Sequence, residues 1–171
     1  LIPGNTGTAP IQNIGAYGVE LKDSFVCCEA MNRINQELET FSKEDCKFGY
    51  RESFFKSEGK DNFVITSVTL KLTKNNHKLN TSYGAIEEEL QNKNIINPTI
   101  KDVSNAVIAI RNNKLPDPKK LGNSGSFFKN PIISKSQFLQ LQDNFKDVPH
   151  YIVSENEIKV PAGWLIETAG F

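Results

Sequence analysis

Two prolines in the stretch Leu115-Pro116-Asp117-Pro118-Lys119 constrain this chain more than any other feature. Each fixes its own φ and removes a backbone donor, so no helix crosses the stretch and the path through it is stiff. Any helix on the N-terminal side has to stop there. The chain of 171 residues therefore divides into a first part, 1–112, a linker, 113–119, and a shorter second part, 120–171. That length can bury a respectable core, as one domain or as two small ones.

The local patterns on either side predict an α+β protein. Thr99 to Asn112 carries Ile100, Val103, Val107 and Ile110 at helical spacing, with Thr99 and Asp102 as a capping box. Phe25 to Ala30 and Phe63 to Leu72 are β-type runs, the second with Val64, Val68, Leu70 and Leu72 expected on one face. Their spacing is too short for crossover helices, which predicts antiparallel pairing. Beyond the linker the pattern predicts a strand around Ser126 to Ile133, a helix from Lys135 to Phe145, a hairpin over Tyr151 to Val160 and a short helix begun by Pro161. No repeat or low-complexity tract interrupts the chain.

Charge and cysteine usage exclude several classes of function. The 20 basic and 20 acidic residues cancel, and no run of like charge stands out, so the field that steers a protein onto nucleic acid or an anionic membrane is missing. No stretch approaches the length that spans a bilayer, and the first residues lack a secretory signal, so a cytoplasmic location is expected. The three cysteines, Cys27, Cys28 and Cys46, have no metal-ligand spacing and suit reduced thiols. His77 and His150 are isolated, and no metal site is expected. The chain opens on Leu1 with dense glycine from Gly4, and it stops at Phe171 directly after a helical pattern. Both ends are read as cuts.

Three segments could carry chemistry. Residues Ile2 to Gly18 contain Gly4, Gly7, Gly15 and Gly18 with Pro3 and Pro10, and neither helical nor strand periodicity survives that spacing. Such glycines let a backbone approach a flat or anionic ligand, and they serve tight turns equally well. Cys46-Lys-Phe-Gly-Tyr-Arg-Glu-Ser53 places Tyr50 and Arg51 after a glycine. The arginine offers a fixed fork of donors for a carboxylate, although an arginine in isolation is more often a surface residue. Gly122-Asn-Ser-Gly-Ser-Phe-Phe-Lys-Asn-Pro131 sets Ser126 among glycines, aromatics, a lysine and an asparagine. That is the composition of a ligand wall, yet a lone serine in such a place is more often a turn residue.

Taken in order, five segments resemble the UDP-N-acetylenolpyruvoylglucosamine reductase family: Ile2 to Gly18, Phe48 to Ser53, Lys114 to Pro118, Gly122 to Pro131, and Ala162 to Ile166. The resemblance implies a lobe of a vanillyl-alcohol-oxidase-type FAD-binding domain over 1–112, its latter one, followed by part of a small α+β substrate domain over 120–171. It implies FAD contacts from Ile2, Pro3, Gly4, Gly7, Thr8, Ile11, Gly15, Tyr17, Gly18 and Val19. It further implies Arg51 as the group that polarises the substrate carboxylate and Ser126 as proton donor. Tyr50, Tyr83, Arg111, Lys114, Lys129 and Asn130 would line the substrate and nicotinamide path.

The implied activity is NADPH-dependent reduction of UDP-N-acetylglucosamine enolpyruvate to UDP-N-acetylmuramate through FAD, by a cytoplasmic monomer, in peptidoglycan precursor synthesis. The family's preceding glycine- and serine-rich loop for the FAD pyrophosphate, and its later segment with a catalytic glutamate, have no counterpart among these residues. A non-catalytic UDP-sugar or flavin-binding module is the rival reading, and an oxidase of the same fold is a third.

Overall fold

The computed structural model describes residues 4–83, 85–117, 119–122 and 126–171. Leu1, Ile2, Pro3, Gly84, Pro118 and positions 123–125 lie outside the described residues. The chain forms two compact units, Leu1–Asn123 and Ser124–Phe171.

The first unit is built on a three-stranded antiparallel sheet. β1 (Gly15–Ala16) and β2 (Val19–Glu20) form a small hairpin of their own, and β3 (Phe25–Asn32) is the centre of the larger sheet, between β4 (Leu38–Ser42) and β5 (Phe63–Leu70). Phe25, Cys28 and Ala30 of β3 turn inward onto Phe41, Cys46 and Phe55. Phe41 lies at the middle of an aromatic cluster, with ring centroids 4.9 Å from Phe55, 5.0 Å from Phe63 and 5.4 Å from Phe54. The pairs with Phe55 and Phe63 are edge-on, an arrangement that adds to the area they bury. Gly59 is required here, because a Cβ would stand 2.4 Å from the Phe54 ring. Cys46 is fully buried, and its hydrogen bond with Cys28, followed by burial, pushes its thiol well above the ordinary range.

The alternation expected along β5 is interrupted. Ser67 pairs with Glu29 but Ile65 pairs with Ala30, so Thr66 is an extra residue in the ladder, and its hydroxyl donates to the Glu29 carbonyl at 3.1 Å. A bulge of this kind inverts which residues face inward. Phe63 and Ile65 pack on the core before it and Val68 after it, while Val64 is 54% exposed. Leu72 falls beyond the strand and is exposed, so the four residues expected on one face do not share one.

α1 (Ile86–Asn92) and α2 (Ile100–Lys114) pack through Ile86, Leu90, Ala106 and Ile110, with Tyr17 against them. The capping box of α2 forms as the sequence indicates: the Thr99 N–H donates to the Asp102 carboxylate at 2.8 Å, and the Asp102 N–H donates to the Thr99 hydroxyl at 3.3 Å. α2 runs two residues past the expected end, with Arg111 and Lys114 in its last turn, where cations suit the helix dipole. Leu115 then turns extended at φ −121°, the conformation that the following Pro116 imposes on it.

The second unit has a small antiparallel sheet in which β8 (Glu157–Lys159) lies between β6 (Ile132–Ser134) and β7 (Tyr151–Ile152). α3 (Lys135–Asn144) and α4 (Ala162–Thr168) complete it. Phe138, Val148, Ile158 and Val160 form its core, with Trp164 packed against them. The strand expected over Ser126 to Ile133 is confined to Ile132–Ser134, because the ladder is limited by the three residues of β8 that it pairs with. The hairpin and the helix after Pro161 form where the sequence indicates. Among the described residues no helix is long and apolar enough to cross a membrane.

Candidate functional site

The glycine segment holds more regular structure than its spacing suggests. Thr6–Gln12 is a 3₁₀ helix containing Pro10, and it ends at Asn13 in the left-handed region at φ 43°. The short turns of a 3₁₀ helix tolerate a spacing that no α-helix or strand would. β1 and β2 then close on Tyr17 at φ 54° and Gly18 at φ 76°, and positive φ at both central positions is the two-residue turn that matches strand twist. Gly15 has no room for a side chain, since a Cβ would lie 2.5 Å from the Val19 carbonyl.

The tip of this hairpin meets Tyr83. The Tyr17 and Tyr83 rings are 6.1 Å apart edge-on, and a Cβ on Gly18 would lie 3.1 Å from the Tyr83 ring and 2.9 Å from Asn80 Nδ2. Two residues far apart in sequence, one expected at the cofactor and one at the substrate, are thereby brought together. Gly4 is in the left-handed region at φ 103°, Gly7 backs onto the Ile65 carbonyl, and the Thr8 hydroxyl donates to the Asn5 carbonyl at 2.8 Å. Ile11 and Val19 present apolar surface, 40% and 51% exposed.

Arg51 is fastened to the same segment. Gly49 and Glu52 bridge across a tight turn, and Arg51 within it has φ 54°, an uncommon conformation for a residue with a side chain. Three hydrogen bonds stitch this turn to the glycine segment at alternate positions. Ser53 Oγ donates to the Ile11 carbonyl at 2.6 Å, Asn13 Nδ2 donates to the Gly49 carbonyl at 3.0 Å, and Arg51 Nη2 donates to the Gly15 carbonyl at 2.6 Å. Lys56 Nζ holds the Arg51 carbonyl at 2.8 Å, and the guanidinium carbon lies 5.8 Å from the centre of the Tyr50 ring. The other terminal nitrogen, Nη1, is buried with no hydrogen-bond partner among the described residues. A buried guanidinium N–H left without an acceptor is costly, and an anionic oxygen is the acceptor such a fork fits.

Sequence reasoning did not single out Asn13 or Ser53 as site residues, although both are buried polar side chains. Asn13 Nδ2 also donates to the Glu20 carboxylate at 3.1 Å, and its Oδ1 accepts from the Lys22 N–H at 3.0 Å. Glu20 pairs with Lys22 Nζ at 2.8 Å, and that hydrogen bond raises the Lys22 pKa.

The remaining predicted residues are dispersed. Arg111 and Lys114 occupy the last turn of α2. Ser126, Lys129 and Asn130 belong to the second unit, so neither unit alone contains the whole set. Ser126 and Lys129 are exposed, and Phe127 between them is 93% exposed, its ring 5.0 Å from that of Phe128. Asn130 Oδ1 accepts from the Ala162 N–H at 2.9 Å, which ties its side chain to the start of α4. His77 bonds the Thr73 hydroxyl and His150 the Val148 carbonyl, and no group of three His, Cys, Asp or Glu that could hold a metal occurs among the described residues.

No family model matches the sequence. Over all of its length the chain is 67% identical to UDP-N-acetylenolpyruvoylglucosamine reductase of Flavobacterium johnsoniae and 46% identical to the protein of the same name from Pseudomonas aeruginosa. The chain spans about half the length of the curated relatives it matches, 51% and 50% of these two. Among solved structures, the reductase of Thermus caldophilus matches 98% of this chain and 55% of its own at 21% identity and a TM-score of 0.49. At the sequence identities of the curated relatives, the chain belongs to the UDP-N-acetylenolpyruvoylglucosamine reductase family.

Proposed function

We propose that this chain is the part of a cytoplasmic, monomeric flavoprotein reductase that orients the enolpyruvyl carboxylate of UDP-N-acetylglucosamine enolpyruvate for reduction to UDP-N-acetylmuramate. The reading places the latter lobe of a FAD-binding domain in the first unit and the start of a substrate domain in the second. The observation that carries it is Arg51 Nη1, buried and without an acceptor, on a guanidinium whose Nη2 is held by Gly15.

The residues present suit FAD. A glycine hairpin with no room for a Cβ at Gly15 and the exposed apolar faces of Ile11 and Val19 suit a flat ring system laid against the backbone. Gly4, Gly7, Thr8, Ile11, Gly15, Tyr17, Gly18 and Val19 would hold it, together with Ile2 and Pro3. Bound FAD, reduced by NADPH, supplies the hydride that the double bond of the substrate receives.

The chain's own residues do the rest. Hydride addition to a double bond conjugated with a carboxylate moves charge onto the carboxylate oxygens as an enolate. A guanidinium already fixed in place lowers that barrier without reorganising. The Ser126 hydroxyl gives its proton to the carbon adjacent to the carboxylate, and Tyr50, Tyr83, Arg111, Lys114, Lys129 and Asn130 bind the nucleotide-sugar and nicotinamide path. The test is NADPH consumption by the complete FAD-loaded protein, with and without UDP-N-acetylglucosamine enolpyruvate. Oxidation that requires the sugar nucleotide is expected; oxidation at the same rate in its absence would leave a flavoprotein of another specificity.

A further inference from the structure

The conformation of Arg51 is not one its own sequence favours. A left-handed φ on an arginine, with a terminal nitrogen buried and unmatched, persists only when neighbours over-determine it. Among those neighbours Asn13 reaches furthest. It is 0% exposed, and one amide group touches three segments: the Gly49 carbonyl that opens the arginine turn, the Glu20 carboxylate at the end of β2, and the Lys22 N–H beyond it. An asparagine amide has two donors and two acceptor sites, and three of these four are used here. Asn13 is itself left-handed at φ 43°, a conformation asparagine tolerates better than most residues.

We infer that Asn13 is a positioning residue for Arg51: its amide locks the Gly49–Ser53 turn to the glycine segment, so that Nη1 of Arg51 is presented in a fixed place to an anionic oxygen of the ligand. The inference rests on the proposed function for the identity of that ligand, and on the hydrogen bonds alone for the pose of the arginine. Ser53 and Gly15 supply the flanking stitches, one hydrogen bond each, whereas the Asn13 amide also anchors its own side of the contact to Glu20 and Lys22. Deleting the amide takes from the Lys22 N–H its partner and leaves the Gly49 carbonyl with only the longer bond from the Glu52 N–H, 3.3 Å.

Two variants separate positioning from simple folding. Asn13→Gly keeps a backbone that accepts positive φ and removes all three hydrogen bonds of the Asn13 side chain. Asn13→Asp keeps the acceptor for Lys22 and the side-chain shape, loses both donors, and sets a carboxylate against Glu20. In the complete FAD-loaded protein, Asn13→Gly is expected to lower kcat/KM for the enolpyruvyl substrate about tenfold or more, but by less than about twofold once Arg51→Lys is present, because groups acting as one unit are not additive. Equal losses in both backgrounds would overturn the inference. The pose is read independently by NMR of the arginine side chains: the Arg51 guanidinium, protected in the parent by its bond to Gly15, should exchange rapidly in Asn13→Gly and in Asn13→Asp. An unchanged Arg51 signal in folded variants would overturn it also. If the parent shows no substrate-dependent NADPH oxidation, the functional reading fails while the NMR comparison still decides the role of Asn13.

Discussion

Arg51 and Ser126 are assigned partner roles in one reaction, yet their surroundings are opposite. Arg51 lies in a turn fixed by three hydrogen bonds across 36 to 42 residues of sequence, with buried Asn13 and Ser53 on either side. Ser126 lies in an exposed stretch beside a phenylalanine that is 93% exposed. The group proposed to stabilise developing charge is preorganised inside its own unit, where fixed dipoles are worth most. The proposed proton donor lies on an exposed segment instead.

Core substitutions should give the largest contrast. Phe41→Ala removes the middle of the aromatic cluster and should destabilise the chain by about 3–5 kcal/mol, whereas Phe127→Ala should change stability by no more than about 0.5 kcal/mol. Denaturant midpoints of the two variants measure it, and similar losses would erase the distinction between the regions. Next in size, Arg51→Met should lower kcat/KM of the complete protein by about 10²–10³, with NADPH still bleaching the flavin in the absence of substrate. A variant equally slow at bleaching would place Arg51 at the cofactor instead.

The two serines sharpen the same comparison. Ser53→Ala removes the hydrogen bond from the buried Ser53 hydroxyl to the Ile11 carbonyl and should cost about 0.5–1.5 kcal/mol of stability. Ser126→Ala should leave stability unchanged and let NADPH bleach the flavin, yet block reoxidation by the enolpyruvyl substrate. Unchanged reoxidation would remove Ser126 from the donor role. The smallest effect is a pH dependence at the start of α2. Hydrogen bonds from the Thr99 hydroxyl and N–H hold the Asp102 carboxyl below the ordinary aspartate value. A depressed folded value contributes stability that is present above the unfolded pKa and is lost as pH falls through the folded one. The stability difference between the parent and Asp102→Ala should therefore shrink on acidification through that range, and a difference that stays constant would argue against the capping carboxylate.

What could be read in the sequence was what is local. The α2 capping box, the proline that ends the helix, and the hairpin over Tyr151 to Val160 each depend on neighbours a few residues away, and each forms. The face of β5 could not be read, because the bulge at Thr66 is fixed by the pairing with β3 and not by β5 itself. β4 passed unnoticed because Leu38-Glu-Thr-Phe-Ser42 shows only two apolar residues, while Ile86 and Leu90 with an acidic first turn were a usable signal for α1. Within the site, Gly18 and Gly15 were legible as glycine-requiring positions. Asn13 was not, since its hydrogen bond to Gly49 spans 36 residues and leaves no local trace.

The central claim is that Arg51 recognises a carboxylate. The direct measurement compares, in the complete FAD-loaded protein, the binding of UDP-N-acetylglucosamine enolpyruvate with that of its carboxamide analogue, before and after Arg51→Met. The parent should bind the carboxylate at least about tenfold more tightly, and the variant should lose that preference. A preference that survives in Arg51→Met would contradict the account, because the charge of the substrate would then be read elsewhere.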